Sequence, residues 1–65
     1  MKAKYDAETD TMTLIFRSDR IKESDEIRPG VIIDYGFEGQ IIRIEVLNAS
    51  SVLENVKEMQ FAVEG

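Results

Sequence analysis

From Val31 to Leu47 the chain reads as two apolar runs folded back on a turn, and this stretch constrains the fold more than any other. Val31-Ile32-Ile33-Asp34-Tyr35 is apolar at nearly every position and rich in the β-branched and aromatic residues that suit a pleated surface. Gly36-Phe37-Glu38-Gly39 follows, with two glycines available for positive φ in a turn. Gln40 to Leu47 returns as a second strand. Its Ile42, Ile44 and Val46 face one way and Arg43 and Glu45 the other, with Ile41 and Leu47 adding apolar area to that polar side.

A second hairpin is expected nearer the start. Thr11 to Arg17 alternates, with Met12, Leu14 and Phe16 on one face and Ile15 as the exception on the other. Lys2-Ala3-Lys4-Tyr5 can pair with it through Asp6-Ala7-Glu8-Thr9-Asp10, whose Asp and Thr side chains bond backbone locally. Ser18 to Arg28 is polar and acidic and reads mainly as a connecting loop, with a short edge strand near Glu26-Ile27-Arg28 at most. Pro29-Gly30 then punctuates the chain.

Beyond Asn48 the period changes. Ala49, Val52, Leu53 and Val56 form an i, i+3, i+4, i+7 stripe, which predicts a helix of two to three turns starting near residue 49 or 51. Asn48 as N-cap and Ser51 with Glu54 as a capping box are the two competing starts. In Met59-Gln60-Phe61-Ala62-Val63-Glu64 the residues Met59, Phe61 and Val63 alternate as a strand would, while Met59 and Val63 also continue the helical stripe. A final strand is favoured over a longer helix because Phe61 leaves that stripe. The expected fold class is α+β: an antiparallel sheet of four to five strands, built as two hairpins, with one helix from the C-terminal half packed on one face. At 65 residues one domain, 1–65, is expected.

Composition limits the chemistry. There is no cysteine, hence no disulfide and no thiolate ligand, and no histidine, the commonest catalytic base and metal ligand. Thirteen acidic against eight basic residues give a net charge of −5, the wrong sign for duplex DNA or anionic lipid. Tyr5, Phe16, Tyr35, Phe37 and Phe61 lack the basic interleaving of a base-stacking surface. No apolar run approaches the roughly 18 residues of a membrane span, and the opening residues carry no signal-peptide stretch. A cytoplasmic protein that binds neither nucleic acid nor membrane is expected.

Tyr5-Asp6-Ala7-Glu8-Thr9-Asp10-Thr11-Met12-Thr13-Leu14 resembles the opening Y-D-x-E-x-D-x-L of the domain-of-unknown-function 2283 family. Glu23-Ser24, then Pro29-Gly30-Val31-Ile32-Ile33-Asp34-Tyr35, then Gly39 and Ile44-Glu45-Val46-Leu47-Asn48-Ala49-Ser50 continue the likeness across roughly residues 3 to 53. The chain departs where Gly36-Phe37 replaces the acidic pair usual after the tyrosine. The resemblance implies a short bacterial or archaeal protein with no assigned activity. Some members sit beside small toxin-like proteins, so it also implies an antitoxin-like role with a basic protein partner. It supplies no catalytic residue.

The residues themselves offer several candidates. Asp6, Glu8 and Asp10 alternate like the start of a calcium loop, but Thr11 and Arg17 stand where its glycine and bidentate glutamate belong, so a polar turn is expected. Glu23, Asp25 and Glu26, close to Arg20, Lys22 and Arg28, read as solvated charge. Asn48-Ala49-Ser50-Ser51 has neither the glycine-rich loop nor the lysine of a phosphate loop, so it reads as a helix cap. Asp34 interrupts an apolar strand and shares a face with Ile32. A half-exposed cross-strand pair with Arg43, beside Glu45, is its expected state.

No catalytic, cofactor-binding or metal-ligating residue is assigned, and no cofactor. Ile15, Ile32, Ile41 and Leu47 would leave an apolar patch around Asp34, Arg43 and Glu45 that a monomer rarely exposes. A homodimer burying these seven residues is expected, acting as a non-enzymatic interaction module. The alternative is a small-ligand or metal-binding protein, or an enzyme, using carboxylates such as Asp6, Asp10, Asp34 or Glu45 at a dimer interface.

Overall fold

The computed structural model describes residues 1–52. Five strands form one antiparallel sheet: β1 (Lys2–Asp6), β2 (Thr11–Ile15), β3 (Ile21–Arg28), β4 (Val31–Gly36) and β5 (Ile41–Val46), followed by α1 (Ala49–Val52). Their order is β1-β2-β5-β4-β3, which puts β5 at the centre and β1 and β3 at the edges. Strands β1 and β2 pair antiparallel, as do β3 with β4 and β4 with β5, so three pairs of consecutive strands stand where two hairpins were expected. The pairing of β2 with β5 joins the two halves.

The register sorts residues into rows that cross the sheet. Asp25, Ile33, Ile44, Leu14 and Ala3 lie side by side from β3 to β1. Val31, Val46, Met12 and Tyr5 make the next row on the same face. Here the core gathers: Ala3, Met12 and Val46 are buried with Ala49, and Tyr5, Leu14 and Ile44 pack against them. Period two thus places one apolar residue from each of β1, β2, β4 and β5 in each row, and removing that area from water drives the sheet together.

The principal correction concerns residues 18–28. Most of this polar stretch is the eight-residue strand β3, exposed along its whole length, rather than a loop. Its charges hide it from a periodicity reading, because neither of its faces is apolar. An edge strand needs only one neighbour for its backbone, and charged side chains there discourage pairing with stray chains.

The helix also differs from expectation in how it starts. Asn48 takes a left-handed φ of 52° and its carbonyl accepts the Ser51 N–H (3.0 Å), while the two N–H groups before that find their acceptors in the first turn. Ala49 N–H donates to the Asp10 carbonyl oxygen (2.8 Å) and Ser50 N–H to Asp10 Oδ1 (3.1 Å). Asp10 thereby satisfies two of the N–H groups that a helix start leaves without partners. Leu53, Glu54, Val56 and the final strand expected over 59–64 lie outside the described residues. So does the packing of a full helix on the sheet.

Among the described residues four take positive φ: Asp10 and Asn48 at 52°, and the glycines Gly30 and Gly39 at 82°. Nothing crowds a Cβ at Gly39, so only backbone strain opposes substitution. Gly39→Ala is expected to destabilise by about 1 kcal/mol and Gly39→Asn by less, since asparagine tolerates left-handed φ. Chemical denaturation of the two variants checks the order.

Candidate functional site

The second face of the sheet carries the charge. Two adjacent rows cross it from β3 to β1: Ser24, Asp34, Arg43, Ile15 and Lys2, then Glu26, Ile32, Glu45, Thr13 and Lys4. Of the seven candidate interface residues, Ile15, Ile32, Asp34, Arg43 and Glu45 fall together in these rows. A register shift between Asp34 and Tyr35 sets Ile41 opposite Tyr35, out of step with them. Leu47 lies just past β5, where its N–H donates to Gly30 O (2.7 Å).

Asp34 is the centre of the site and corrects the expectation of a half-exposed pair, being only 2% exposed. One carboxylate oxygen accepts the Ser24 hydroxyl. The other accepts Arg43 Nε at 2.6 Å, and the same Nε lies 3.4 Å from Glu45 Oε1. Burial pushes the Asp34 carboxyl up, but the Ser24 hydrogen bond and the hydrogen bond and charge of Arg43 outweigh it, so the group titrates below its ordinary value. The Arg43 side chain keeps 39% of its surface exposed. A buried anion is thus held by a cation that still reaches solvent.

Ser24 was the residue that periodicity missed, since it lay in a presumed loop. A lone acid within an apolar strand is the signal that could have prompted a search for partners, because a buried carboxylate needs more than one hydrogen bond. Both Ser24 and Asp34 stand among the residues that carry the family resemblance, and the structure makes them neighbours.

Elsewhere the expected candidates resolve into local structure. Asp6 Oδ1 accepts the Glu8 N–H (2.9 Å), an Asx turn that starts the loop to β2. Asp10 accepts the Tyr5 hydroxyl and the Ser50 hydroxyl, each at 2.7 Å. These bonds hold the Asp10 carboxyl below its ordinary value: Tyr5 contributes most, then the Ser50 side chain, against a smaller rise from burial. Tyr5 is raised in turn, chiefly by its bond to Asp10. Glu23, Asp25 and Glu26 are exposed on β3, and Glu26 Oε2 accepts the Gly30 N–H (3.2 Å). At the opposite end of the sheet from α1, Arg20 stacks over Phe37, 5.3 Å from the ring centre. An open groove of about 620 Å³ lies over the β1 end of the second charged row, lined by Lys4, Thr13 and Glu45 of that row and by Thr11 and Leu47 beyond it. Among the described residues no helix is long and apolar enough to cross a membrane.

Among the described residues these features define a class: a small antiparallel sheet of five strands with a short helix and, on its charged face, a buried carboxylate that accepts a hydrogen bond on each oxygen. Within that class the chain belongs to the family described as "Protein of unknown function (DUF2283)", which residues 2–50 match. No curated protein and no solved structure matches it significantly.

Proposed function

We propose that the protein is a non-enzymatic interaction module that binds a second copy of itself through the charged sheet face. One observation carries this reading: the face combines a linked Ser24–Asp34–Arg43–Glu45 network with half-buried Ile15 and Ile32. A carboxylate poised as a general acid near neutrality has a raised pKa. Here Asp6, Asp10, Asp34 and Glu45 each have an internal partner, and the shifts at Asp10 and Asp34 run downward. That supports charges used for structure and recognition rather than proton transfer. Isoleucines beside a neutralised ion pair suit an interface, where they exclude water and the charges reject wrong partners.

Native mass spectrometry of the purified chain at low ionic strength tests the reading. The expected species has twice the 7.4 kDa chain mass. Half-dissociation should need less protein dilution in Ile15→Asp or Ile32→Asp than in the parent. A monomer at every concentration would overturn the proposal. The alternative of a carboxylate-based metal site predicts a thermal shift with divalent cations, which the interaction reading does not.

A further inference from the structure

We draw no further inference here: the strongest candidate, the open groove over the β1 end of the charged sheet face, sets the cation of Lys4 among the carboxylates of Asp6 and Glu45 and so selects no one class of ligand, and nothing in the structure shows what covers it.

Discussion

Replacing Arg43 with alanine is expected to destabilise the protein by about 3–5 kcal/mol, the range for a buried ion pair that loses one partner. The magnitude follows from which partner stays behind. Asp34 is buried, and without Arg43 its carboxylate keeps only the Ser24 hydroxyl against the full effect of burial. The reverse change, Asp34→Ala, leaves a guanidinium that still reaches water and Glu45, so it should cost less, about 1–3 kcal/mol. A domain of this length has roughly 3–10 kcal/mol to lose, so Arg43→Ala approaches the limit of folding. Should that variant not fold, Asp34→Val combined with Arg43→Leu provides the control. Removing both charges for apolar side chains should recover most of the stability, because the pair's attraction is set against its desolvation. Urea denaturation of the four proteins measures the order. A cost for Arg43→Ala no greater than that for Asp34→Ala would refute the account.

The pH dependence of this network has a definite sign. The Asp34 pKa is lower in the folded chain than in the unfolded one. Its stabilising contribution is therefore complete above the ordinary aspartate value and is lost as pH falls through the depressed folded value. The stability gap between the parent and Asp34→Asn should be widest near neutrality and narrow below about pH 4.

The second large effect is expected at Asp10, where one carboxylate joins β1, the first turn and α1. Asp10→Ala removes the acceptor for the Tyr5 hydroxyl, the Ser50 hydroxyl and the Ser50 N–H together, at a residue whose φ of 52° also disfavours alanine. Asp10→Gly relieves the backbone strain and loses the same three bonds, so it isolates the side chain. The expected order of thermal stability is parent, Asp10→Asn, Asp10→Gly, then Asp10→Ala, with Ser50→Ala milder than Asp10→Gly. The Tyr5 signal in an NMR titration should fall back toward the ordinary phenol value in Asp10→Gly, because the bond to Asp10 is the main cause of its rise. An unmoved Tyr5 titration, or Asp10→Gly matching the parent, would show that the turn and helix are joined by backbone alone. Asp10, like Asp34, is depressed, so this contribution too vanishes in acid rather than in base.

Alternation was enough to place β2 and β5 and to divide their faces, while β4 was legible as an apolar run and β1 as the segment that could pair with β2 through the first turn. Met12, Leu14, Ile44 and Val46 share a face because side chains in a strand alternate strictly, and nothing tertiary can alter that parity without a bulge. The same parity put Asp34 opposite the apolar face and made Arg43 its neighbour across the strands. Where a register shift does intervene, at Tyr35, Ile41 left the face assigned to it.

Three things only the tertiary structure could decide. Strand β3 has no apolar period to read, since its backbone is held by β4 and its side chains remain in water. The helix cap comes from Asp10, some 40 residues before Ser50, and local capping rules consider only neighbours in sequence. The burial of Asp34 depends on Ser24 closing over it from a strand the sequence left as a loop. Periodicity records which way a side chain points; which distant residue meets it depends on strand order, and that is settled when the whole sheet assembles.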